Sequence, residues 1–163
     1  MWERIEAHLG SEQVSRVIYG AIIGMAVIVV FEHHPTGAWA TEATLIATAL
    51  AVALAELYSE VIGATTKMRK RVERHHVRHI AGDVGAVAFG IWFPGFYFFF
   101  AGIGWMEMDT AFTLAKWTGV GLIAGYGYAA GRLSGSSRVS SLLQALAVGL
   151  IGIALIGFKA LVH

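Results

Sequence analysis

The stretch TEATLIATALAVALAELYSEVI, residues Thr41–Ile62, decides the fold. It is alanine, leucine, valine and isoleucine, broken only by small hydroxyl residues, one tyrosine and the glutamates Glu42, Glu56 and Glu60. No glycine or proline interrupts it. As a helix rising about 1.5 Å per residue it is about 33 Å long, enough to cross a hydrocarbon core of about 30 Å.

Four more stretches of this kind flank it, at Ser15–Phe31, Ile80–Gly102, Thr110–Gly131 and Val139–Leu161. The breaks carry turn chemistry: His33-His34-Pro35-Thr36-Gly37 closes the first span, and Ser134-Gly135-Ser136-Ser137 separates the last two. The expected fold is all-α: a polytopic membrane bundle of five transmembrane helices forming one domain over residues 1–163. Composition agrees. Of 163 residues, 56% are hydrophobic and 14% charged, with a mean hydropathy of +0.64, whereas a soluble domain is nearer a quarter charged. A chain this small exposes much of its surface, and so few charges could not cover it in water. A lipid bilayer is the better solvent.

The chain has no cysteine, which excludes disulfides and thiolate metal sites. Its first thirteen residues carry Glu3, Arg4, Glu6 and Glu12 without an early apolar run, unlike a cleaved signal. Trp2, Ile5 and Leu9 recur at helical spacing, so residues 1–13 are expected to form a short interfacial helix.

Orientation follows from lysine and arginine. Arg4 and Arg16 precede the body of the first span. The second connection holds Lys67, Arg69, Lys70, Arg71, Arg74 and Arg78, and the fourth holds Arg132 and Arg138. Those are ten of the twelve basic residues, all on one side. The first and third connections offer Glu32, Glu107 and Asp109 instead. The amino terminus is therefore expected in the cytoplasm and the carboxyl terminus outside, in a multi-pass protein of the cell membrane. The basic cytoplasmic connection, residues 65–79, is too short for a folded domain; anionic lipid headgroups are its expected partner. Nothing aromatic interleaves its charges, so nucleic acid is not.

Ionisable groups at membrane depth need a partner, a water-filled cavity or a function. On the second span, Glu42, Glu56 and Glu60 return to within about 40° of one face, with Ile46, Ala49 and Ala53 between them. Glu56 and Glu60 lie one turn apart, so their carboxylates can meet one ligand. Such a pair shares a proton or takes up a cation. The other reading is that both sit near the interface and pair with the basic connection. Asp83, early in the third span, is the natural third carboxylate, or else complements its helix N-terminus.

Carboxylate oxygens are hard ligands, and the candidate substrate is a divalent cation such as Mn²⁺, Fe²⁺, Mg²⁺ or Ca²⁺. No tightly bound cofactor is expected. Glu32, His33 and His34 form a candidate outer access point, with Glu42 as a pore-lining candidate. His75 and His79 have a metal-clamping spacing, but five surrounding cations repel a dication there. Lys116, on the face of Asp109, is expected to pair with it or snorkel outward. In the third span, Pro94 should kink the helix, and the aromatics Phe96–Phe100 after it should face lipid.

Gly20-x3-Gly24 in the first span, Gly121-x3-Gly125 and Gly127-x3-Gly131 in the fourth, and Gly149 and Gly152 in the fifth permit close helix packing, within a protomer or between protomers. Five helices make a thin bundle, so a homodimer or higher homo-oligomer is expected. No nucleophile-and-base pair, cofactor loop or zinc motif stands out, and enzyme chemistry is not expected.

Three groups of residues carry a family likeness. They are Leu54-Ala55-Glu56-Leu57, Phe93-Pro94-Gly95-Phe96, and Gly131-Arg132-Leu133-Ser134-Gly135 followed by Leu142-Leu143-Gln144-Ala145-Leu146 and Gly149. In these the chain resembles the vacuolar iron transporter family. The resemblance implies five spans, a cytoplasmic amino terminus, a dimer, and exchange of divalent metal for protons, with Glu56 at the acidic second-span position. Two departures stand against it. Ile23 precedes Gly24 where the family has aspartate, and a basic stretch with Glu73 replaces the glutamate-rich metal-collecting helices. The fold is thus expected to carry over without the iron selectivity. The leading expectation is a proton-coupled cation transporter using Glu56, Glu60 and Asp83. An oligomeric channel and a non-transporting accessory protein are the alternatives.

Overall fold

A computed structural model describes the backbone of residues 11–33, 36–68 and 74–161, and the side chains of 13–32, 36–63 and 82–157. Residues 1–10 of the expected interfacial helix, and residues 69–73 together with every side chain of the basic connection at 65–79, fall outside the described residues. Every regular element among those described is a helix: α1 (Ser11–His33), α2 (Ala38–Met68), α3 (Arg74–Trp92), a 3₁₀ turn (Phe93–Gly95), α4 (Phe96–Gly102), α5 (Met108–Leu133) and α6 (Arg138–Leu161).

Four segments are long and apolar enough to cross a membrane: Gln13–Glu32, Ala38–Gly63, Gly82–Gly102 and Arg138–Gly157. The third of these runs through the 3₁₀ turn. α5 is as long, at 26 residues, but less apolar, because glycines and Lys116 dilute it. The architecture is that of a membrane protein with four or five spans.

The helix ends have local causes. Gly37 (φ +98°) precedes α2, and its carbonyl accepts both the amide and the hydroxyl of Thr41 at 3.0 Å. Gly104 (φ +80°) and Gly135 (φ +78°) follow the ends of α4 and α5. At each, the glycine amide returns to the third residue back and the next amide to the fifth: Gly104 to Ala101 and Trp105 to Phe100, Gly135 to Arg132 and Ser136 to Gly131. A left-handed glycine lets the chain turn back and satisfy carbonyls that the helix leaves open. The Ser137 hydroxyl then accepts the Ser140 amide at 3.2 Å and caps α6.

Pro94 has no amide proton to continue the helix. Here the α3 helix tightens into the 3₁₀ turn and resumes as α4. The aromatic run after it divides. Phe96 and Phe99 face outward, as expected, but Phe98 is fully buried edge-on against Phe112 of α5, 4.8 Å between centroids.

α1 is central, touching every other long helix and packing mainly on α3 and α5; α5 packs on α6, and α2 on α3. The α1–α3 crossing is a backbone contact. A Cβ at Gly20 would lie 2.1 Å from the Val87 carbonyl oxygen, and one at Gly90 would lie 2.3 Å from that of Val17. The main core gathers Ile28, Leu45, Ala49, Val87, Ile91, Phe98, Ala111, Phe112 and Ala115. On α5, Gly127 and Gly131 meet α6 at Ala145 and Ser141, whereas Gly121 and Gly125 face open space. The two motifs share a spacing but not a role.

Candidate ion-binding site

The inward stripe of α2 runs through Glu42, Leu45, Ala49, Val52, Glu56 and Glu60, at steps of three or four. Ile46, expected on that face, points outward. The stripe carries its acids to both ends of the bundle.

At one end, three helices converge on Arg16. From α1 its guanidinium reaches Glu56 Oε2 at 2.8 Å through Nη1, and pairs with Glu60 through Nη2. Nη2 also lies 3.7 Å from Asp83 Oδ2, one helix further round on α3. The side chains of Arg16, Glu56 and Glu60 keep about a quarter of their surface (23%, 26% and 27%), while Asp83 keeps 3%. The cluster is thus open on one side and closed against the bundle on the other.

Each element supplies its part for a local reason. Glu56 and Glu60 stand one turn apart on α2, so both can address one planar fork of donors. Asp83 lies midway along α3, too far from its first turn to complement the helix N-terminus, and so faces Arg16 from the middle of that helix. Carboxylates drawn out of water require positive charge or protons beside them. In this arrangement the positive charge belongs to the protein. Glu56, Glu60 and Asp83 each lie beside this one guanidinium. Among the described residues, no group of three or more His, Asp or Glu side chains is arranged to hold a metal ion.

The opposite end holds two separate features. Lys116 of α5 bonds Glu32 of α1 at 2.6 Å, rather than Asp109 of its own helix. His33 closes α1, but its side chain and His34 fall outside the described residues, as do the side chains of His75, His76 and His79. Glu42 is 6% exposed, and its Oε1 accepts the Trp92 indole N–H at 2.7 Å. Its Oε2 is buried with no hydrogen-bond partner.

Two participants escaped the sequence reading. From the sequence, Arg16 serves only to orient the first span through the positive-inside pattern. Its position within the first apolar run was the available signal, since an arginine there needs a partner. Trp92 carried a similar signal, because a buried indole N–H seeks an acceptor.

No family model matches the chain, and neither does any curated protein or solved structure compared with it.

Proposed function

We propose that the protein is a small multi-pass cation transporter in which Arg16 is a built-in counter-ion for a carboxylate loading site made by Glu56, Glu60 and Asp83. One observation carries this reading: a guanidinium and three acids from three helices meet at one partly open end of the bundle. A tethered cation in such a place competes with a mobile one. When protons neutralise Glu56 and Glu60, or a divalent ion binds them, the hold on the guanidinium weakens and α1 is released from α2. Loading is thereby coupled to a change in helix packing, which a carrier needs and a simple anchor does not.

The cargo favoured by carboxylate oxygen is a hard divalent ion, Mn²⁺, Fe²⁺, Mg²⁺ or Ca²⁺, exchanged for protons. In this reading the Arg16 end faces the cytoplasm, where the basic connection would gather anionic lipid. The resemblance to the vacuolar iron transporter family points in the same direction and leaves the choice of ion open.

The test is flux in proteoliposomes. A pH gradient should drive Mn²⁺ movement by the wild type, and Glu56→Gln and Glu60→Gln should each reduce it at least tenfold while the protein still assembles. Absence of flux for all four divalent ions, from a folded wild-type protein, would sink the proposal and leave the Arg16 cluster as a structural tie. Discrete single-channel currents would replace the carrier with a pore.

A further inference from the structure

Glu42 plays no part in the proposed loading site. It lies fourteen residues from Glu56 along α2, about 21 Å at helical rise, and so belongs to the other end of the bundle. It is 6% exposed, beside the fully buried Thr41 and Leu45. One oxygen is held by Trp92 at 2.7 Å. The other faces the 3₁₀ break, where a Cβ on Gly95 would come within 3.5 Å of it, and it has no hydrogen-bond partner.

The charge environment is equally plain. α3 offers the neutral Trp92, and the break beside it offers only Pro94 and Gly95. Tyr97 of α4 accepts the Thr118 hydroxyl at 2.9 Å. Of the charged groups described at this end, Glu32 on α1 and Lys116 on α5 bond each other at 2.6 Å, neither forms an ion pair with Glu42, and Glu107 and Asp109 at the start of α5 are themselves acids. No described cation neutralises it.

An ionised carboxylate in this position would have one indole donor for its whole charge. Burying an unpaired charge costs far more than burying a neutral acid. We infer that Glu42 is a proton-binding site, holding its proton at neutral pH on the oxygen beside Gly95 while Trp92 fixes the other. The ligand is the proton itself, and the site is built from a helix stripe, an indole and a glycine at a proline break. The inference stands apart from the transport proposal, because proton occupancy can be read with no ion gradient and no metal present.

Infrared spectroscopy of the full chain in lipid nanodiscs at pH 7 tests it. The wild type should show a protonated-carboxyl C=O band that Glu42→Gln removes and that shifts down in D₂O. Trp92→Phe should move the band to higher frequency, since the carbonyl loses its donor. If Glu42→Gln fails to assemble, the Trp92→Phe shift carries the test alone. Loss of carboxylate stretches instead of a C=O band in Glu42→Gln overturns the inference, as does a band that ignores Trp92→Phe.

Discussion

Arg16 spends one side chain on three acids, so its removal should be felt beyond a single contact. Arg16→Gln leaves Glu56, Glu60 and Asp83 beside one another without their shared guanidinium. Truncating one partner of a buried pair costs about 3–5 kcal/mol. With a quarter of these side chains exposed, about 2–3 kcal/mol is expected here. Adding Glu60→Gln should return at least about 1 kcal/mol of that loss, since the two residues share one interaction. Denaturant unfolding in micelles, run as a double-mutant cycle, measures both numbers, and strict additivity would contradict the geometry. The pairing of Glu56 with Glu60 was legible in the sequence because i, i+4 spacing is enough to bring two side chains together. The arginine opposite them was not, because nothing in one helix's periodicity says which neighbour it will meet.

At the scale of elements, the glycine motifs separate by what stands across from them. Gly20→Leu would drive a side chain into the Val87 carbonyl, a backbone atom that can yield only if α1 and α3 part. Its expected cost is about 3 kcal/mol, at the upper end for overpacking. A Cβ at Gly125 meets nothing within 4 Å, so Gly125→Ala should destabilise by no more than about 0.5 kcal/mol, measured by thermal unfolding in the same detergent. Unfolding curves that reverse this order would show the crossing to be wrong. These positions cannot be ranked from sequence, because four-residue glycine spacing marks a flat helix surface but not its occupant. The helices themselves were readable from apolar length, and their stops from Gly37, Gly135 and Pro94, because those residues act through their own backbones. The division of the aromatic run was hidden for the opposite reason, since burial of Phe98 depends on Phe112 arriving from α5.

Across the whole molecule, the lack of cysteine makes topology directly testable. Single cysteines at Thr36 and Ser136 lie in connections at opposite ends of the bundle. With a cytoplasmic amino terminus, a membrane-impermeant maleimide added to intact cells should label Thr36→Cys and spare Ser136→Cys. The reverse pattern would invert the expected orientation. α1 has a further property at this scale. Arg16 ties its first half to α2 and α3, and Glu32 ties its end to α5. Those anchors are sixteen residues apart, about 24 Å along the axis, which is short of a hydrocarbon thickness of about 30 Å. The helix thus acts as a ruler with charged end-marks, and hydrophobic mismatch becomes a stability variable. Reconstitution into phosphatidylcholines of increasing acyl length should lower the unfolding temperature step by step, as longer chains draw the end-marks below the headgroups.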